Sequence, residues 1–96
     1  MIVVEGSFRI PDIAAALPRM IAMITASRAE PGCVEYGYAM DVLDPTLVRV
    51  VERWESRAAL EEHQHSEHIR DWRAGWLAMG LTDRELRVYE AEPEGL

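Results

Sequence analysis

The sequence predicts an α+β fold in the order β-α-β-β-α-β, with one antiparallel sheet and its helices on one face. Four β-branched, alternating segments lie near residues 2–10, 33–42, 47–55 and 84–91. Between them run two stretches in which apolar residues recur at three- and four-residue spacing, and Pro or Gly closes most of these segments. A chain of 96 residues holds one core, read as a domain over residues 1–91 with an acidic tail at 92–96.

The first strand puts Ile2, Val4, Phe8 and Ile10 on one face and stops at Pro11. A helix follows from about Asp12 to Ala29, its apolar stripe being Ile13, Leu17, Met20 or Ile21, and Ile24. Pro18 removes one backbone donor inside this stretch, so a kink or a weak first turn is expected. Glu30-Pro31-Gly32 ends the helix. The second strand carries Val34, Tyr36, Tyr38, Met40 and Val42 on one side, and Asp44-Pro45-Thr46 turns it into the third strand, giving an antiparallel hairpin. Ser56 and Ser66 are read as successive N-caps, so the second helical region breaks near Ser66. Beyond the break Ile69, Trp72, Trp76 and Met79 form a stripe that Gly80 closes before the last strand. This order is the split β-α-β arrangement of ferredoxin-like folds. Because Val3, Leu47, Val51 and Tyr89 give the strands apolar residues on the second face too, that face is expected to pair with a twofold copy.

Composition excludes several function classes. A net charge of −7 argues against nucleic acid and against acidic membrane surfaces as partners. The longest apolar runs, such as Met20 to Ile24, have five residues, far short of the roughly 20 a bilayer span needs. The N-terminus has neither the basic nor the long apolar segment of a secretory signal, which gives the expectation of a cytoplasmic protein. All ten cationic residues are Arg, so Schiff-base chemistry through Lys is absent, and the chain also has no Asn. Cys33, the only cysteine, begins a strand after a helix C-terminus and is read as a small buried hydrophobe. Glycine-rich phosphate loops, Cys-x-x-Cys pairs and a serine nucleophile elbow do not occur.

Local words carry more than the element order: Ser27-Arg28-Ala29-Glu30-Pro31-Gly32-Cys33 leading into Tyr36, then Asp44-Pro45, Glu52-Arg53-Trp54, Ala59-Leu60-Glu61-Glu62-His63 and Ser66-Glu67-His68. Together they resemble the antibiotic biosynthesis monooxygenase family of the dimeric α+β barrel superfamily, from about Val3 to Tyr89. The resemblance implies a ferredoxin-like protomer that packs its sheet on a twin, forming a homodimer with a pocket between sheet and helices in each protomer. It further implies an oxygenase with no metal or flavin cofactor, in which a small aromatic, quinol or polyketide-like substrate reacts with dioxygen once deprotonated. Non-catalytic binding or scavenging, and cofactor-free isomerisation, are the alternatives on the same fold. Family members commonly hold substrate oxygens with an Asn on the first strand and a Trp on the third. Trp54 matches the Trp, whereas the Asn has no counterpart, which disfavours haem degradation in particular.

Within that frame His68 is the expected proton acceptor, and Glu52, on the same strand face as Trp54, is a second candidate base if buried. A salt bridge from Glu52 to Arg49, Arg53 or Arg87 at a dimer seam is the competing reading. Trp54, Tyr36, Trp72 and His63 are the expected substrate-binding residues, though Trp72 and Tyr36 fit an ordinary core role as well. His63 and His68 would lie about 140° apart on a continuous helix, and His63 and His65 about 200°, so a shared metal is not expected. Only a break at Ser66, with Glu67 or Glu52 nearby, would bring His63 and His68 together.

Overall fold

The computed structural model describes residues 1–96. Its elements are β1 (Ile2–Arg9), α1 (Ile13–Arg28), β2 (Cys33–Met40), β3 (Leu47–Trp54), α2 (Arg57–Gln64), α3 (Glu67–Ala74), α4 (Trp76–Met79) and β4 (Thr82–Glu90). The sheet runs β2-β3-β1-β4 with every neighbour antiparallel, the ferredoxin-like α+β arrangement. No helix is long and apolar enough to cross a membrane.

Local chemistry sets the boundaries. The Asp12 carboxylate caps α1 at the Ala15 N–H, Ser56 caps α2 at Ala59, and Ser66 caps α3 at Ile69. Gly80 ends α4 in the left-handed conformation, φ 69°, which glycine adopts without steric cost. Gly6 answers a different need: a Cβ there would sit 2.0 Å from the Glu85 carbonyl oxygen where β4 crosses β1. Helix α1 runs through Pro18 without interruption.

The side chains paired across β1, β3 and β2 alternate between faces. Ile2, Val4, Phe8, Val48, Val50 and Trp54 are buried on the helix side, against Ala16, Met20 and Met23 of α1 and against Leu60, Ile69 and Trp72 of α2 and α3. The expected α1 stripe is corrected in part: Met20 is buried and Ile13 and Ile24 pack against the core, but Leu17 and Ile21 are exposed, and Ala16, Met23 and Ser27 complete the buried arc. Small side chains at Ala16 and Ser27 let the helix sit close to the sheet. Strand β2 ends at Met40, leaving Val42 outside it and exposed, and β4 begins at Thr82 rather than residue 84. The face away from the helices is more charged than the sequence pattern suggested. Val3, Val51 and Tyr89 lie there among Glu5, Arg49, Arg53 and Arg87, and Arg53 pairs with Glu35 and Arg87 with Glu5.

Candidate active site

A cavity of about 200 Å³ opens between the helix-side face of the sheet and the α2–α4 segment. Phe8 of β1, Tyr36 and Tyr38 of β2, Glu52 of β3 and Leu86 and Val88 of β4 form its floor. His63 of α2, Trp72 of α3 and Trp76 of α4 form its roof, and the exposed Arg73 and Arg84 stand among the lining residues. The walls are largely aromatic: Phe8 meets Tyr38 edge-on at 5.3 Å, and Trp72 lies 6.2 Å from Tyr38. Arg84 stacks over Trp76 at 5.1 Å.

Besides Gln64 and the arginines, four polar groups line this cavity: Tyr36, Tyr38, Glu52 and His63. The Tyr36 and Tyr38 hydroxyls are 3.5 Å apart, well beyond the usual 2.7–2.8 Å for O–H···O, so their mutual bond is weak. Burial raises both phenols, Tyr38 to about 12, so both stay protonated and able to donate at neutral pH. Glu52 is buried and accepts a 2.9 Å hydrogen bond from the Trp54 indole N–H. Burial pushes its carboxyl above the ordinary range, with the Trp54 bond and the charge of Arg84 pulling the other way. The seam salt bridge for Glu52 is thus corrected: its carboxylate bonds Trp54, while Arg49 pairs with Asp41, Arg53 with Glu35 and Arg87 with Glu5 and Glu85. The sequence alternation puts Glu52 with Trp54 on the covered side, and the arginines follow on the other.

His63 is the fourth group. Its ring lies 5.1 Å from Tyr36 and 4.7 Å from Trp54, and its Nδ1 is 2.8 Å from Glu30 Oε1. Burial lowers its pKa below the ordinary 6.5, partly offset by Glu30, so the ring is neutral at pH 7. A carboxylate can only accept, so Nδ1 holds the proton and Nε2 carries the lone pair.

The other expected residues fall elsewhere. His68 lies off the cavity wall, beside a shallow recess shared with Arg19, Met23 and Asp71. Its Nε2 bonds Glu30 Oε1 and lies 3.2 Å from Ser66 Oγ. The break at Ser66 does bring the two histidines together, yet the carboxylate between them is Glu30, not Glu67 or Glu52. Trp54 is fully buried behind the wall with its N–H committed to Glu52. Cys33 is half-buried rather than buried, and burial pushes its thiol up. Glu30 was missed because it looked like a helix stop. One signal could have found it: an acidic side chain just past a helix C-terminus opposes the dipole and calls for a partner elsewhere.

Residues 1–75 match the family described as "Antibiotic biosynthesis monooxygenase". The chain is 43% identical over 65 residues to "Putative monooxygenase Rv0793" of Mycobacterium tuberculosis, covering 67% of this chain. That match spans 63% of the length of the curated relative. The solved structure of Rv0793 covers the whole chain and 98% of its own at 30% identity and a TM-score of 0.72. PA3566 of Pseudomonas aeruginosa, 29% identical, gives 0.75 over 98% of this chain and 94% of that one. A structure from Deinococcus radiodurans, described as a "putative antibiotic biosynthesis monooxygenase", gives 0.92 over 100% and 97% at 20% identity, a likeness of fold alone.

Proposed function

The chain belongs to the antibiotic biosynthesis monooxygenase family, and from that premise we propose that it is a cofactor-independent monooxygenase of small, single-ring phenols or quinols. The observation that carries this reading is His63: a neutral imidazole on the wall of an aromatic cavity, its Nδ1 fixed by Glu30 and its Nε2 able to accept a proton. A volume of about 200 Å³ suits one aromatic ring, since cavities of about 150 Å³ already hold benzene, and this narrows the range from polyketide-like substrates to smaller ones.

In this mechanism His63 Nε2 takes the phenolic proton while Tyr36 or Tyr38 donates to the phenolate oxygen. The electron-rich ring reduces dioxygen and bonds one oxygen, as a hydroperoxide, at a ring carbon that carries hydrogen, para to the hydroxyl in a simple phenol and ortho in a quinol. Loss of water from that carbon, taking its hydrogen, leaves the quinone. One oxygen atom of dioxygen enters the product, the other leaves as water, and phenol plus O₂ balances quinone plus H₂O. Glu52, its carboxyl raised above the ordinary range by burial, is placed to exchange the second proton, and Trp72 packs against the ring. Proton acceptance thus moves from His68, the expected residue, to His63, with His68 behind Glu30 steadying it. The protomer pairs with a second copy through the open sheet face, where Val3, Val51 and Tyr89 need cover.

Oxygen uptake with a panel of single-ring phenols and hydroquinones, followed by ¹⁸O₂ labelling, tests the reading. One labelled atom in the quinone is expected; no uptake by folded protein across the panel would sink it. A second reading, a binding module without turnover, is favoured by β1, which gives the wall only Val4 and Phe8 and no polar group. A compound that raises the melting temperature and is recovered unchanged in air would support that alternative.

A further inference from the structure

Three elements that are separate in sequence deliver ligand atoms to one point. Glu30 follows the end of α1, His63 is in the last turn of α2, and His68 is the second residue of α3. Glu30 Oε1, His63 Nδ1 and His68 Nε2 all lie within 4.8 Å of one another. The side chains are 13%, 5% and 23% exposed, so the rings and carboxylate are held by packing rather than by solvent. Both rings present a nitrogen to the same oxygen.

We propose that Glu30, His63 and His68 form a binding site for a divalent transition metal such as zinc, and that its occupancy switches off the cavity. Two imidazoles and one carboxylate select such a metal over calcium or magnesium, which prefer all-oxygen shells. Bonds of about 2.0–2.2 Å set neighbouring ligand atoms about 3.3–3.5 Å apart in a tetrahedral site. The 2.8 Å between Glu30 and His63 therefore opens by about half an ångström, which the jointed glutamate side chain supplies. Ser66 Oγ, 3.2 Å from His68 Nε2, is at hand to steady the carboxylate or a fourth ligand. The recess beside His68 gives the ion a way in, where Asp71 attracts it and Arg19 repels it; Arg73 also acts on His63.

The regulatory part rests on the proposed role of His63. A metal on Nδ1 displaces that proton to Nε2 of the same neutral ring, so the lone pair that faces the reaction becomes an N–H donor. His68 likewise carries its proton on Nδ1, and no proton is lost overall.

Untagged protein stripped with a chelator is titrated with Zn²⁺ against a chromophoric competitor, and separately with Co²⁺ to read coordination in the visible spectrum. One ion per chain is expected, with binding weakened more than about 100-fold in E30Q and in H68A, beyond the 10–100-fold that losing an outer partner costs, and unchanged in H65A, whose side chain is exposed. Circular dichroism confirms that each variant is folded, and H68Q replaces H68A if it is not. Absence of saturable binding, or equal binding in E30Q and H68Q, overturns the site. In a second arm, oxygen uptake with and without saturating Zn²⁺ is compared as a ratio for each protein. Wild type should lose most of its uptake and H68A should show a ratio near one. Undiminished wild-type uptake with zinc bound overturns the switch. Absence of uptake in metal-free protein counts against the oxygenase reading, and the binding arm still decides the site.

Discussion

Asp44 lies in the turn before β3 and Glu52 near that strand's far end, and the protein treats their identical chemistry in opposite ways. Asp44 is half-buried and takes hydrogen bonds from Arg9, from the Thr46 N–H at 2.9 Å and from Thr46 Oγ1 at 2.7 Å. Those partners, Arg9 foremost, hold its carboxyl at about 2. Glu52 is buried with a single neutral donor, and its carboxyl rises instead. The same functional group is a fixed anion that ties a turn at one end and a group able to exchange a proton at the other. Burial with too few donors marks the end where chemistry is proposed.

The sharpest way to break the contrast is at the donor. Trp54→Ala removes a fully buried ring and should cost about 3–5 kcal/mol in urea unfolding. Trp54→Phe keeps most of the volume but strips Glu52 of its only hydrogen bond, for about 1–3 kcal/mol. If the penalty for Trp54→Phe is no smaller in a Glu52→Leu background, the bond between them is not what Trp54 contributes. Next in size is turnover: His63→Gln should reduce oxygen uptake about 10²–10⁴-fold, the range for losing a general base. Wild-type uptake should persist somewhat below pH 6.5 and fall only as pH drops through the lowered His63 pKa. An acid limb above 6.5 would contradict that assignment.

The smaller effects separate the two carboxylates by sign. Because the fold raises the Glu52 pKa, the native state binds its proton more tightly than the unfolded chain does, and stability declines as pH rises from about 4.5 through the raised value. Glu52→Gln keeps an acceptor for Trp54 and should be more stable than wild type above that window, the gain vanishing at lower pH. Asp44 runs the other way. Its pKa is lowered, so its contribution is complete above about 3.8 and is lost as pH falls through about 2. Asp44→Asn should lower the melting temperature slightly at pH 7 and not at pH 2. Matching slopes for the two variants would erase the distinction.

Local chemistry made most of the fold legible. The strand alternation, the serine caps at positions 56 and 66 and the glycine at 80 each act within a few residues, so the sequence displays them directly. The buried arc of α1 was legible only in part: Ile13, Met20 and Ile24 pack where the spacing puts them, but Leu17 offers as good a position as Ala16, and only the closeness of helix to sheet chooses the smaller residue. Of the site, Tyr36, Glu52, His63 and Trp72 stand on the cavity wall as alternation and helical spacing allow. Glu30 could not be paired with His63 and His68 in advance. The contacts span 33 and 38 residues and depend on how the end of α1 meets the break between α2 and α3.

That break also bears on how the gene can vary. The Ser66 hydroxyl donates to the His63 carbonyl at 2.7 Å and accepts from the Ile69 N–H, joining the end of one helix to the start of the next. The segment between His63 and His68 is therefore a spacer of fixed length. Adding or deleting one codon there would part the Ser66 cap from the end of α2 and so move both His68, which bonds Glu30, and Trp72, which lines the cavity. A chain of different length at this point is expected to lose the cluster, whereas the exposed His65 is free to be exchanged.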